Sequence, residues 1–230
     1  MTKINLGERL STCASLVRQG AFLCDVGTDH AYLPIYLCEA GTVSSAVASD
    51  IKKGPLLRAQ ENIAAYRLSD RIDTVLTSGL CGLESRGFTD IVIAGMGGLM
   101  IRDIIKEASF LRDPRIALVL QPMKNEDELR LWLAQNGFAI TDERLAFDTG
   151  KIYQIIRAVF DGRERTVGET ELLLGAKNIE ERAENRELFR LLCEKYLDMY
   201  GKKVHGMKPD TEEYAHAKRI YDEITALAKI

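Results

Sequence analysis

The sequence predicts an α/β fold in which a mostly parallel sheet precedes a small helical region. Short apolar runs alternate with helix-like segments through the first 161 residues, and two of these runs end in glycine-containing turns. Beyond residue 161 the chain becomes rich in charge, with apolar residues three and four positions apart. We therefore expect one domain at residues 1–161 and a coiled-coil-like helical hairpin at residues 162–230.

The first strand is expected at residues 21–26, between a helix at 6–19 and a second helix at 31–38. This strand ends at Asp25 and Gly27, where the backbone must turn sharply. Open α/β sheets bind ligands at the carboxyl ends of their strands. The sequence therefore predicts a binding loop directly after the first strand.

This loop carries an acid where a dinucleotide-binding loop has a second glycine. Thr28 and Asp29 follow Gly27, and a carboxylate there repels a pyrophosphate but attracts a cationic ligand. S-adenosylmethionine, with its ammonium and sulfonium groups, is such a ligand. Asp29 could instead cap the following helix, and the two roles are compatible.

A second acid ends the strand expected at residues 43–49. Asp50 lies a little over twenty residues beyond the glycine loop, where nucleotide-binding folds place a carboxylate on ribose hydroxyls. The alternative is that Asp50 caps the next helix, whose apolar positions are Leu56, Leu57, Ile63 and Ala64.

The third and fourth strands are expected at residues 72–76 and 90–94. Ser78 and Gly79 follow the third strand, where many nucleoside-binding sheets carry an acid for the adenine amino group. The fourth strand runs into a glycine-rich turn that would let backbone amides approach a ligand; the turn contains Gly95, Met96, Gly97 and Gly98. A tight packed turn is the alternative interpretation.

A fifth strand is expected at residues 116–120, and strands at 138–147 and 152–160 should form a terminal hairpin. Between them, Asn125 and Glu128 resemble a helix N-cap and its capping-box partner. Trp132 lies among leucines in that helix, so we expect it in the core.

The last third of the chain carries two apolar stripes that we interpret as helix cores. The first stripe lies between residues 170 and 204, and the second lies between residues 214 and 228. Residues 201–210 between them are expected to form a turn. The lysines and histidine of this turn are a possible phosphate contact; they are Lys202, Lys203, His205 and Lys208.

Composition narrows the functional classes. The 230 residues are 46% hydrophobic and carry a net charge of −3, so any nucleic-acid site must be a local basic patch. Neither a signal-peptide core nor a run long enough to cross a membrane is present, and we expect a cytoplasmic protein. Five cysteines and three histidines are scattered through the sequence, so we predict neither a disulfide framework nor a metal site.

The two acids and the glycine-rich turn together favour a class I methyltransferase over a dehydrogenase. Methyl transfer from a sulfonium is an in-line displacement that depends mainly on alignment, so a strong catalytic base is not required. The fourth strand lacks the D/N-P-P-Y/F motif of amino-nitrogen adenine methyltransferases and a Pro-Cys nucleophile for cytosine chemistry.

Five features resemble the bacterial tRNA adenine-22 N1-methyltransferases over essentially the whole chain. They are DVGTDHAYLP at 25–34, ASDI at 48–51, AGMGG at 94–98, QPM at 121–123 and the C-terminal helical hairpin. This resemblance implies a Rossmann-like methyltransferase fold, S-adenosylmethionine as cofactor and adenine N1 of tRNA as acceptor. Where the family often has Gly-Asp-Gly-Leu after the third strand, residues 77–80 of this chain read Thr-Ser-Gly-Leu.

The predicted catalytic residues are Asp29, which would stabilise positive charge on the methylated base, and His30, which would orient that base or serve a structural role. The predicted cofactor contacts are Asp25, Gly27, Thr28, Asp29, Asp50, Ile51, Ser78, Gly79, Gly95, Met96 and Gly97. Competing interpretations are a small-molecule methyltransferase, a nicotinamide oxidoreductase and a nucleotide sensor. The sequence leaves open the tRNA-docking surface and the choice between monomer and homodimer.

Overall fold

The computed structural model describes residues 4–229, and its seven strands form one sheet. They are β1 (Ala21–Val26), β2 (Val43–Asp50), β3 (Ile72–Leu76), β4 (Asp90–Met96), β5 (Ala117–Pro122), β6 (Phe138–Asp148) and β7 (Lys151–Phe160). Their order in the sheet is β3-β2-β1-β4-β5-β7-β6. β7 runs antiparallel to β5 and β6, and the other neighbouring pairs are parallel. The predicted sheet with an antiparallel final strand is confirmed.

Helices pack on both faces of this sheet and against its β6–β7 hairpin. They are α1 (Gly7–Ser15), α2 (Tyr32–Glu39), α3 (Lys53–Ala65), α4 (Gly98–Glu107), α5 (Glu126–Gln135), α6 (Glu169–Leu174), α7 (Ala176–Glu180), α8 (Arg186–Gly206) and α9 (Glu212–Leu227). Within residues 4–229, none of these helices is long and apolar enough to cross a membrane.

Alternate residues of the strands supply two apolar cores, one on each face of the sheet. Leu23 and Val92 pack on the face that α1, α2 and α3 cover, whereas Cys24 and Ile93 pack on the face that α4 and α5 cover. Burying each of the larger side chains contributes about 1.5–3 kcal/mol to folding. Because both faces are covered there, the central strands β1, β4 and β5 are nearly continuous apolar runs, and this makes them recognisable in the sequence.

The carboxyl ends of four parallel strands lie along one edge of the sheet. Val26 of β1 pairs with Ser49 of β2 and with Ile93 of β4. The same edge continues through β3, whose last residue Leu76 pairs with Asp50. This shared edge brings together turns that are up to 70 residues apart in the chain.

The C-terminal helices form a third core against the β6–β7 hairpin. Phe189 and Ile224 are fully buried where α8 packs on α9, and Leu145 and Ile152 join them from the hairpin. This arrangement confirms the predicted C-terminal helical region.

A buried arginine joins the sheet to these helices. Arg130 of α5 is 1% exposed and donates through Nε to Glu143 (2.7 Å) and through Nη2 to Gln154 (2.8 Å). Its Nη1 donates to the backbone carbonyl of Leu172 (2.8 Å), and the Gln154 amide donates to that of Leu173 (3.1 Å). A buried guanidinium needs such partners because an unpaired charge in the core is strongly destabilising.

Two local predictions are wrong. Residues 201–206 are helical rather than part of a turn, because Tyr200, Val204 and Met207 pack in the C-terminal core and extend α8. Of the basic cluster predicted in that turn, only Lys208 lies outside the helix. The stripe between residues 170 and 204 is also not one helix, since Gly175, with φ +87°, separates α6 from α7.

Candidate active site

The loop after β1 is fixed to the end of β2. The amides of Gly27 and Thr28 both donate to the Ser49 carbonyl, each at 2.8 Å. Gly27 has φ +72°, and a Cβ at this position would overlap the methyl group of Met96. A residue with a side chain would therefore be strained in its backbone and would displace Met96. The structure thus brings together two of the predicted turns, those after β1 and β4.

A buried acid stands at the base of this loop. Asp25 is 6% exposed, and its carboxylate accepts a 2.6 Å hydrogen bond from the hydroxyl of Thr28, which is 1% exposed. Burial raises the pKa of Asp25 to about 6, the Thr28 hydrogen bond opposes this rise, and the negative charges of Asp29 and Asp50 add to it. A cation bound at this edge would relieve that charge crowding.

Asp29 presents its carboxylate to solvent. Its side chain is 82% exposed and lies 3.3 Å from Nε2 of His30. The N-cap of α2 is Ala31, and no side chain caps it; Asp29 contributes only its backbone carbonyl, to the amide of Tyr32. The alternative role of Asp29 as a side-chain cap is therefore not seen, and the carboxylate remains available to a ligand.

The backbone beside Asp29 is held in an uncommon conformation. His30 and Ala31 have φ +58° and +57°, although neither is glycine. Each such residue costs of order 1 kcal/mol. The Asn62 amide donates to the His30 carbonyl (3.0 Å), and the His30 ring stacks on Tyr32 with centroids 5.3 Å apart. Strain held by tertiary contacts is typical of ligand-binding loops.

The end of β2 presents both a polar and an apolar group. One carboxylate oxygen of Asp50 accepts the Lys52 amide at 2.6 Å. Lys52 is itself the N-cap residue of α3, so Asp50 does not occupy the capping position that the alternative interpretation gave it. Ile51 is 66% exposed beside it. A carboxylate with a neighbouring exposed apolar side chain suits a ribose and the flat ring of a nucleoside.

The turn after β3 joins the same edge. The Thr77 amide donates to the Asp50 carbonyl (3.0 Å), and Ser78 is exposed. Gly79 has φ +57° and packs against Ile104 of α4. The hydroxyl of Ser78 is therefore accessible, and its proposed contact with a bound base stays a prediction.

The glycine-rich turn after β4 is attached to the segment after β5. The Met123 amide donates to the Met96 carbonyl (2.7 Å), and the Gly98 amide donates to the Lys124 carbonyl (2.8 Å). A Cβ on Gly98 would overlap the backbone carbonyl of Asn125, so close packing requires this glycine. Gly95 has φ +79° and is exposed at the edge, and Gly97 precedes α4 in an extended conformation.

Asn125 is the N-cap residue of α5, as predicted, but the predicted capping box is wrong. Asn125 has φ +59° and ψ +43°, and its side chain caps no amide of the helix. In this left-handed conformation the Asn125 backbone lies so close to Gly98 that a Cβ on Gly98 would overlap its carbonyl oxygen. Trp132 in the same helix packs on Phe138 with ring centroids 5.8 Å apart, as expected for the core.

Sequence reasoning gave no role to two polar residues that support this edge. Gln121 is fully buried, and its Oε1 accepts from the Gly95 amide (3.0 Å) and from Nη1 of Arg9 (2.6 Å). The Arg9 amide also donates to Asp148 (3.2 Å). A glutamine inside an apolar strand was the available signal for Gln121. Arg9 had none, because its partners are more than 100 residues away.

Comparison with known proteins shows what this chain is similar to. Residues 6–156 match a methyltransferase domain. The chain is 29% identical over 228 residues to the tRNA (adenine(22)-N(1))-methyltransferase of Bacillus subtilis (strain 168), covering 99% of this chain and 89% of that protein.

Solved structures agree over the same length. A Streptococcus pneumoniae protein, solved in complex with S-adenosyl-L-methionine, is 32% identical, with a TM-score of 0.82 over 97% of this chain and 100% of that chain. The m1A22 tRNA methyltransferase of B. subtilis is 26% identical, with a TM-score of 0.84 over 98% of this chain and 99% of that chain. The similarity therefore includes the C-terminal helices as well as the sheet.

Proposed function

Because this chain belongs to the methyltransferase-domain family, we propose that it transfers a methyl group from S-adenosyl-L-methionine to N1 of an adenine in tRNA. The full-length similarity to a tRNA (adenine(22)-N(1))-methyltransferase carries this assignment. The resemblance predicted from the sequence motifs is confirmed by it. Adenine 22 is the target named for that relative, and we assign the same position to this enzyme.

The edge of the sheet fits S-adenosyl-L-methionine in charge and shape. Asp25, Asp29 and Asp50 surround the loop after β1, and a ligand with ammonium and sulfonium groups offsets their mutual repulsion. When bound, the cofactor supplies an electrophilic methyl group. We assign the ribose contact to Asp50, the adenine-ring contact to Ile51 and Ser78, and close backbone approach to Gly27, Gly95 and Gly97.

Asp29 is assigned the role of stabilising the acceptor. The N1 atom of neutral adenine has a free lone pair and becomes cationic on methylation, so no base is needed to activate it. A carboxylate beside N1 would stabilise the developing positive charge. His30 contacts Asp29 and is assigned the positioning of that carboxylate and of the base. The hydrogen bond from Asn62 and the stacking on Tyr32 fix His30 in the loop.

The acceptor must be unpaired to react. N1 lies on the Watson–Crick edge of adenine, so an enzyme that methylates it in tRNA must bind an exposed base or extrude a paired one. We propose that residues 1–161 bind the cofactor, that residues 162–230 contribute to holding the tRNA, and that the enzyme works in the cytoplasm with its substrate.

Methyl transfer to unmodified tRNA tests the proposal. The purified chain would be incubated with methyl-labelled S-adenosyl-L-methionine and a tRNA transcript carrying adenine at position 22, and the digested nucleosides would be analysed by mass spectrometry. We expect 1-methyladenosine, which should disappear when adenine 22 is replaced by guanine. Binding of S-adenosylhomocysteine without transfer to any tRNA would point to a small-molecule acceptor instead.

A further inference from the structure

A cavity of about 420 Å³ lies beyond the carboxyl end of β5, between the β6–β7 hairpin and α8. Met123 lines it from the segment after β5, Phe147 and Lys151 line it from the hairpin, and Lys195 lines it from α8. Its volume is typical of a small-ligand pocket. The cavity is not lined by any residue that we assigned to cofactor binding or to stabilisation of the acceptor base.

The β6–β7 hairpin extends beyond the edge of the sheet at which the active site lies, and the cavity is next to this extension. Leu120 of β5 pairs with Ile156 of β7 in antiparallel register, which places Gln154 opposite the end of β5. β7 begins three residues earlier, at Lys151, and so projects roughly 10 Å beyond the edge. Met123, in the cavity wall, is hydrogen-bonded to the carbonyl of Met96 (2.7 Å). The cavity therefore adjoins the glycine-rich turn of the active site.

The lining combines exposed apolar surface with one free positive charge. Phe147 and Met123 are each 45% exposed. Lys195 is neutralised by Glu126 at 2.8 Å, whereas the exposed Lys151 ammonium makes no hydrogen bond or ion pair within the described residues 4–229. An aromatic face for a base and a cation for a phosphate are what single-stranded nucleic-acid sites combine.

We infer that this cavity holds a nucleotide flanking the target adenosine of the tRNA, with its base on Phe147 and its phosphate at Lys151. The inference rests on the proposed function. The target base itself must reach Asp29, in the loop after β1. In the sheet β1 lies two strands from β5, so their ends are roughly 10 Å apart. A base in the cavity is therefore a neighbour of the reacting one. Contacts to flanking nucleotides are a common way for base-modifying enzymes to select their substrate.

Steady-state methylation of tRNA by matched variants tests the stacking contact. Phe147→Ala should lower kcat/KM for tRNA about tenfold or more, and Phe147→Tyr should retain it, because only the second variant keeps an aromatic face. Phe147→Leu, which keeps apolar surface without a ring, should resemble Phe147→Ala. All three should bind S-adenosylhomocysteine like the wild type.

Salt dependence tests the phosphate contact. Lys151→Gln should reduce the slope of log kcat/KM against log salt concentration by about one, as expected for the loss of a single phosphate contact. The control is Lys106→Gln, an exposed lysine in the last turn of α4 that lies towards the opposite edge of the sheet. It should leave the slope unchanged.

Transcripts that lack the base on either side of the target identify the occupant. If the cavity binds one of these bases, combining the loss of that base with Phe147→Ala should lower kcat/KM no further than either change alone. The inference would be overturned if Phe147→Ala and Lys151→Gln both kept the wild-type kcat/KM. It would also be overturned if the effects of Phe147→Ala and of each flanking abasic site on kcat/KM were fully additive. Either result would leave methyl transfer established. A wild-type enzyme that makes no 1-methyladenosine would overturn the proposed function, and the inference with it.

Discussion

Replacing Asp25 by asparagine should stabilise the folded chain at neutral pH while weakening its affinity for the cofactor. The Asp25 carboxyl is buried at the end of β1 with the Thr28 hydroxyl as its hydrogen-bond donor, and the carboxylates of Asp29 and Asp50 lie nearby. Asparagine keeps an oxygen that can accept the Thr28 hydroxyl but removes the charge. Since the charged form suffers the cost of burial, its removal should favour the folded state.

The magnitude follows from the pKa. In the folded chain burial raises the pKa of Asp25 from its ordinary value of 3.8 to about 6. Between these two values the folded state binds more protons than the unfolded state, so the free energy of unfolding falls as pH rises. This pKa difference corresponds to about 3 kcal/mol in the free energy of unfolding, which is present below pH 4 and lost above pH 6. Asp25→Asn should therefore gain up to about 3 kcal/mol over the wild type at pH 7.5 and little at pH 4.

Urea unfolding of both proteins at several pH values from 4 to 7.5 measures this difference. Thr28→Val is the matched control, because it removes the hydrogen bond that holds the pKa of Asp25 down. Its stability should continue to fall above pH 6. Titration calorimetry with S-adenosylhomocysteine at pH 7.5 should show weaker binding to Asp25→Asn. Equal stability of Asp25→Asn and wild type across the whole pH range would refute the reasoning.

Three further substitutions test the assigned roles at this edge. Gly27→Ala and the control Gly41→Ala should each lower the free energy of unfolding in urea by about 1–2 kcal/mol, because both glycines have φ near +70°. Only Gly27→Ala displaces Met96, so only this variant should lose S-adenosylhomocysteine binding in calorimetry. Asp29→Ala should lower kcat for tRNA methylation about a hundredfold without changing the urea midpoint, because its side chain is exposed; near-normal turnover would remove its charge-stabilising role. Asp50→Ala should weaken S-adenosylhomocysteine affinity tenfold or more. Unchanged affinity would show that Asp50 does not bind the cofactor and serves only to accept the hydrogen bond from the Lys52 amide.

The central strands β1, β4 and β5 were predictable from the sequence because they are buried on both faces. A strand such as Ile91–Val92–Ile93 packs into both apolar cores and therefore appears as a continuous apolar run. The meeting of the predicted site residues was also predictable, since acids and glycines that end parallel strands must meet at one edge. Gly27, Asp50 and Gly95 all lie there. Their individual contacts with the cofactor stay predictions.

What the sequence did not predict depends on partners far away in the chain. The bond of Arg9 to Gln121 spans 112 positions, and the left-handed Asn125 packs against Gly98 rather than capping its own helix. Residues 201–206 contain two glycines and two lysines, which favour a turn locally, yet packing of Tyr200 and Val204 in the C-terminal core keeps them helical. Tertiary packing overrides local preference in each case.

The same distinction explains why the cavity beside Phe147 had no sequence signal. Its wall is made of three segments, 123–126, 147–153 and 191–195, which are separated by 20 to 40 residues and contain no motif. They meet because the hairpin is longer than its neighbour β5 and because the buried Arg130 ties the hairpin to the C-terminal helices. If a flanking nucleotide binds there, the C-terminal helices contribute to the tRNA site by completing a pocket at the edge of the sheet. Loss of α8 should then impair tRNA methylation while the loop after β1 still binds the cofactor.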